Sequence, residues 1–234
     1  MGVLVGSVVA PHTADDLAWL EHAEQMQDGS VDFFLAMELD GRGERPFEAQ
    51  LARLAAVGGS YWTFHLDKTP GEPYEVRSEE RFIRIATGRN LVIARALDLG
   101  VSHILFLDAD ARPPGNVLPQ LLAVESAMGA PVVFGHLPSY CLDGERIRHP
   151  DMDVRLHGDS LGCVLVARKV FRRVGFGWDP DDELSDDPRF WRDTAAIGCP
   201  PVTRHDCVVE HAPLIPLEAR GTDRYLRTIA YGPS

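Results

Sequence analysis

Asp108 and Asp110 stand two residues apart at the end of an unbroken apolar run, Ile104 to Leu107, that His103 opens, and Pro113 and Pro114 follow them. An apolar stretch without alternation suits a central strand covered on both faces, and Pro113 cannot extend its ladder. The spacing therefore predicts a buried strand that delivers two carboxylates to its C-terminal end. In open α/β sheets ligands bind in the crevice beyond such ends, and oxygen-rich sites there suit Mg2+ or Mn2+ holding a substrate phosphate. The plain alternative is a pair of acids that ends the strand and faces water.

Electrostatics supplies the reason for a cation. At an effective dielectric near 20, a carboxylate about 4 Å from a phosphate oxygen repels it by about 4 kcal/mol. Two acids beside a diphosphate oppose its binding. A divalent cation between them reverses the sign and stabilises charge on a departing diphosphate.

Three further groups carry chemistry. Gly158 and Gly162 flank Asp159 and Ser160 ahead of an apolar strand at 164–166, where glycines permit close backbone approach to a ligand or a plain turn. Ser185, Asp186 and Asp187 precede Pro188 at the start of a helix ending near Gly198; Pro188 suits its first position, and Ser185 or Asp187 its cap. Residues 202–211 read as a strand whose alternation sets His205, Cys207, Val209 and His211 on one face. A zinc site from Cys199, His205, Cys207 and His211 is conceivable, although the spacing matches no familiar finger.

The elements that must position these groups alternate. Residues 2–10 read as a first strand that stops at Pro11; the stretch lacks the basic flank of a signal peptide, and Gly6 stands where a myristoylation pattern needs Ser or Thr. Helices are expected over 14–27, 46–57 and 119–129, and strands over 31–39, 60–66 and 131–137. Ser78 can cap a long helix whose stripe is Phe82, Ile85, Ala86, Ile93, Ala96 and Leu97, with Gly100 as its stop. Strands alternating with helices predict an α/β sandwich with a mostly parallel central sheet.

With 234 residues, 45% of them hydrophobic, the chain can bury one sizeable core as a single domain. A formal net charge of −12 and the absence of a Lys/Arg-rich block disfavour nucleic acid as a partner. Cys141, Cys163, Cys199 and Cys207 include no Cys-x-x-Cys pair and read as reduced thiols of a cytoplasmic protein. No segment approaches the length of a membrane span.

In order, these pieces resemble the GT-A glycosyltransferases, particularly those similar to family 2. The Gly88, Arg89, Asn90 helix followed by the strand ending in Asp108 and Asp110 looks like that family's Arg-Asn helix and Asp-x-Asp strand, and Val8 to Pro11 like its first strand and donor loop. Asp186 replaces the usual Glu of the acidic pair, and the second strand ends Met37, Glu38, Leu39, Asp40 rather than in an Asp-rich turn. The resemblance implies one GT-A domain over 1–234, with a nucleotide-sugar half (1–114) and an acceptor half (115–234). It implies transfer of a sugar from a nucleotide-diphosphate donor to an acceptor hydroxyl on a glycan, small molecule or protein, with Mn2+ or Mg2+ as cofactor. By the same resemblance Asp108, Asp110 and His211 hold the metal, while Pro11, Glu38, Arg89, Asn90 and Asp108 contact the donor. Asp187 is the general base of an inverting transfer, a retaining outcome staying open. His205 competes with His211 for the ligand role, Asp187 has capping as its simpler duty, and Arg89 can be a structural arginine. Two other classes remain: a non-catalytic GT-A-like nucleotide or sugar-binding module, and a metal-dependent phosphohydrolase.

Overall fold

A computed structural model of the chain describes residues 2–10, 17–26, 30–39, 43–65, 79–115, 117–137, 145–147, 151–178 and 186–211. Its strands are β1 (Val3–Val9), β2 (Val31–Glu38), β3 (Ser60–Phe64), β4 (His103–Leu107), β5 (Ala111–Arg112), β6 (Val132–His136), β7 (Glu145–Ile147), β8 (Val154–Leu156), β9 (Cys163–Ala167), β10 (Val202–Val208) and β11 (Glu210–His211). All but β5 and β11 form one sheet in the order β3-β2-β1-β4-β9-β6-β10-β8-β7. Only β8 and β9 run against the others, so the sheet is mostly parallel, as expected.

Burial explains the strand sequences. All five residues of β4 are buried, which its run without alternation required of a central strand. β3 alternates between partly buried and exposed positions, as an edge strand does. Helices α1 (Ala18–Gln25), α2 (Glu48–Ala56) and α4 (Val117–Met128) cover one face, burying Trp19, Leu54 and Leu121 against it. Helices α3 (Glu79–Leu99), α5 (Arg168–Phe171) and α6 (Asp186–Ala196) cover the other, with Val92, Phe171 and Phe190 in its core.

Two glycines set the distance between α3 and the sheet. A Cβ at Gly88 would stand 2.4 Å from Val8 Cγ1, and one at Gly6 would stand 2.3 Å from Val92 Cγ1. Helix and strand therefore approach more closely than any other residue permits, and Arg89, next to Gly88, is held over the strand ends. Gly100, with φ of +70°, ends α3 in the left-handed conformation expected of its stop.

Several boundaries differ from the sequence expectation. The helix expected over 14–27 is α1 from Ala18, residues 11–16 lying outside the described set. The helix expected at 46–57 opens as a 3-10 turn, Arg45–Phe47, before α2. The β7–β8 hairpin was not expected, because two three-residue strands are too short to show a period. The largest correction concerns 202–211. Pairing of β10 with β6 shifts register between Arg204 and Val208, and a separate strand, β11, then leaves the sheet to pair with β5. A bulge breaks alternation, so Cys207 and Val209 point into the core while His205 lies half-buried beside other histidines.

Candidate functional site

The C-terminal end of β4 is where the predicted acids meet. Asp108 closes a turn, its carbonyl accepting from the Ala111 N–H at 3.0 Å, while its own N–H donates to the Gly162 carbonyl at 3.0 Å. Asp110 is buried on the same turn. Trp19 of α1 braces the turn by donating its backbone N–H to the Ala109 carbonyl at 3.4 Å.

Arg89 ties this end to a helix more than seventy residues further along the chain. Its guanidinium donates to Asp108 Oδ1 at 3.1 Å and to Asp187 Oδ1 at 3.4 Å, and lies 5.5 Å from the Phe176 ring centroid. Asp187, in the first turn of α6, also accepts the Leu161 N–H on Oδ2 at 3.4 Å. One buried cation thus joins the strand-end acid and the helix-start acid, and the turn before β9 touches both. The two glycines of that turn approach protein: a Cβ at Gly162 would lie 3.4 Å from Asp108 Oδ2, and one at Gly158 would lie 2.4 Å from the Trp191 indole.

The remaining predicted residues fall around this centre. Glu38, at the end of β2, forms a buried ion pair with Arg84 of α3 at 3.3 Å. Asn90 uses both ends of its amide on the Phe176 backbone, donating to its carbonyl and accepting from its N–H, each at 2.9 Å. That pair fixes the Phe176 ring, which stacks on Phe190 and lies under Arg89. His211 sits directly across the β5–β11 ladder from Ala111, the residue after Asp110. Pro11 lies outside the described residues, as does Cys141. Cys199 belongs to the α3 and α6 face and Cys207 to the opposite one, so these two thiols do not share a site. Cys163, Cys199 and Cys207 are free thiols. Burial pushes Cys163 well above its ordinary pKa and Cys207 up to about 11, leaving both poor nucleophiles at neutral pH.

Among the described residues no three His, Cys, Asp or Glu side chains form a ready-made metal cage. The donor chemistry nonetheless suits Mg2+ or Mn2+, hard ions that accept carboxylate oxygens; Mg2+ in particular commonly uses one or two carboxylates and fills its shell with water and substrate phosphate. Asp108, partly exposed, and Asp110 supply such oxygens on one turn.

Sequence reasoning missed a second polar cluster. His136 Nδ1 donates to Asp159 Oδ2 at 3.0 Å, the His136 ring stacks on His205 with centroids 4.2 Å apart, and His205 Nε2 lies 2.9 Å from His157 Nε2. His136 stands near the end of an expected strand and His157 just before the expected glycine-flanked turn, while His205 lies within the strand expected over 202–211. Arg84 and the Leu161 N–H were missed too; neither has a motif.

Among the described residues no helix is long and apolar enough to cross a membrane. No protein-family model matches the sequence, and no curated protein sequence matches it. Solved structures do match in fold. The mannosyltransferase PcManGT of Pyrobaculum calidifontis, in complex with GDP-Man and Mn2+, is 15% identical with a TM-score of 0.57, over 93% of this chain and 59% of that one. S. aureus TarS (1–349) is 12% identical with a TM-score of 0.56, over 91% and 60%. A nucleoside-diphosphate-sugar pyrophosphorylase of Vibrio cholerae RC9 is 10% identical with a TM-score of 0.56, over 93% and 98%. The chain thus spans about three fifths of the length of the PcManGT and TarS structures. At these identities the likeness is one of fold, and the fold of this chain is GT-A-like.

Proposed function

We propose that the chain is a divalent-metal-dependent glycosyltransferase, similar to family 2, that moves a sugar from a nucleotide-diphosphate-sugar donor to an acceptor hydroxyl. The observation that carries this reading is the linkage of Asp108, Arg89 and Asp187 at the C-terminal edge of a mostly parallel sheet. A sequence-distant acid is thereby held beside an Asp-x-Asp turn, an arrangement a mere strand terminus does not need. PcManGT, of like fold, binds GDP-Man with Mn2+, and a TarS structure holds UDP-GlcNAc.

Asp108 and Asp110 would hold the cation, with His211 as a third ligand on the adjoining strand. When bound, Mn2+ or Mg2+ offsets the charge of the donor diphosphate and of the leaving nucleotide. Asp187 takes the proton of the acceptor hydroxyl as that oxygen bonds to the anomeric carbon and the bond from carbon to diphosphate oxygen breaks. Arg89 and the Leu161 N–H hold the two oxygens of Asp187, which restrains the carboxylate for that duty. A single displacement assisted by the Asp187 base makes inversion the expected outcome. Pro11, Glu38 and Asn90 belong to the donor side, the last two through the Arg84 pair and the Phe176 turn they fix.

Titrating Mn2+ in the presence of nucleoside diphosphates, with turnover measured against a panel of nucleotide-sugars, tests the reading. Asp110→Ala is expected to abolish metal-dependent nucleotide binding, and His211→Ala to weaken Mn2+ affinity where His205→Ala does not. Binding that is equally strong with chelator refutes the metal site. The pyrophosphorylase of V. cholerae covers this fold nearly end to end. Turnover of a nucleoside triphosphate with a sugar phosphate, and of no nucleotide-sugar with an acceptor, would make the chain a nucleotidyltransferase instead.

A further inference from the structure

The cluster of His136, His157, His205 and Asp159 takes no part in the transfer step, yet it surrounds the turn that touches both acids. The Gly158 carbonyl can only accept, so His157 Nδ1 carries a proton and donates to it. His157 Nε2 and His205 Nε2 share one proton across the 2.9 Å contact. Thr203 donates its hydroxyl to the His157 carbonyl at 2.9 Å and anchors the same residue. His205, oriented this way, stacks its ring against His136, and His136 Nδ1 donates to Asp159.

Asp159 is fully buried, and its second oxygen accepts the Ser160 N–H at 2.7 Å. Ser160 Oγ in turn accepts the Gly162 N–H at 3.3 Å. The four residues from Asp159 to Gly162 are thereby locked, and their outward groups are the Leu161 N–H on Asp187 and the Gly162 carbonyl on the Asp108 N–H. A buried carboxylate needs a partner to stay where it is, and the His136 imidazole is the partner that spans from β6 to this turn.

We propose that His136 and Asp159 are positioning residues: braced by the His205–His157 pair, they hold the 159–162 turn so that its backbone fixes the Asp187 carboxylate and the Asp108 main chain. This rests on the transferase reading for its catalytic consequence, and on the turn alone for its structural one. His136→Leu removes the donor, whereas His136→Asn places an amide N–H where Nδ1 stood.

The experiment uses the full chain, with kcat, donor KM and amide hydrogen exchange measured for each variant. His136→Leu is expected to lower kcat by roughly 10²-fold and to raise donor KM by far less, because the turn holds the Asp187 carboxylate itself but Asp108 only through its main chain. Exchange at Leu161 and Gly162 is expected to speed by about tenfold. His136→Asn should restore most of both. Should His136→Leu not fold, Asp159→Asn, which keeps the acceptor for Ser160 but loses the charge, is expected to show the same direction in kcat and exchange. The proposal is overturned by unchanged kcat and exchange in a folded variant, by His136→Asn performing no better than His136→Leu, or by a kcat loss matched by a rise in donor KM. If the unaltered chain turns over no nucleotide-sugar, the transferase reading fails while the exchange rates still decide whether the dyad holds the turn.

Discussion

Replacing Arg89 with Met isolates what the shared cation does, because Met keeps an unbranched apolar stem against Phe176 and removes only the charge and the donors. The two contacts, 3.1 Å to Asp108 and 3.4 Å to Asp187, are each worth about 5 kcal/mol of gross attraction at an effective dielectric near 20. Most of that is offset. The guanidinium was desolvated to reach its place, being 5% exposed, and the Asp108 side chain, 34% exposed, is screened by water. Removing one partner of a buried pair typically costs about 3–5 kcal/mol, and the exposure of Asp108 puts this site at about 3. In urea that is a fall in midpoint of roughly 1 M, taking a slope of about 3 kcal/mol/M for a domain of this size. Arg89→Lys should lose part of it, since one ammonium lacks the fork that reaches two carboxylates. In a double-mutant cycle the cost of Arg89→Met should shrink by about 1 kcal/mol or more once Asp187 is Asn, because the pair then shares a loss. A cost below about 1 kcal/mol, or strict additivity with Asp187→Asn, refutes the claim that Arg89 couples the two acids.

Asp187→Asn keeps oxygen for the Leu161 N–H but cannot take the acceptor proton, so turnover should fall by about 10² or more with donor binding retained; near-normal turnover would leave Asp187, which lies inside the first turn of α6 and not at its cap, a structural acid and would favour retention. Gly158→Ala drives a methyl to 2.4 Å from the Trp191 indole and should cost about 1–3 kcal/mol, read by urea unfolding and by a shift in tryptophan emission. His22 is buried on α1 with no hydrogen-bond partner for its Nε2 among the described residues, and burial lowers its pKa to about 4. The unfolded chain therefore binds this proton near pH 6.5 and the folded chain does not until about pH 4, so stability is full above about 6.5 and falls as pH drops between the two, by up to about 3 kcal/mol. His22→Leu should flatten that part of the urea stability profile; an equally steep decline in the variant would assign it to other groups.

Local pattern carried the sequence a long way here. The unalternating run of β4 announced a doubly covered strand and the helical stripe before Gly100 announced α3, because burial on one or both faces writes its period directly into neighbouring residues, while Pro188 announced α6 but stands third in it and not first, since the helix starts at Asp186. The mostly parallel α/β sheet followed from their alternation. Which distant groups meet was another matter. That Arg89 would bridge Asp108 and Asp187, 98 residues away from it in the second case, depends on β9 inserting antiparallel between β4 and β6, which brings the 159–162 turn and α6 against the end of β4. No periodicity records a strand order. The bulge in β10 overrode the alternation that had set His205 and His211 on one face, sending His205 to the imidazole cluster and His211 to the strand opposite Ala111. Residue types announced acids at a strand end and at a helix start. Only the packed sheet, through two close glycine contacts and one inserted strand, decided that a single arginine would hold them together.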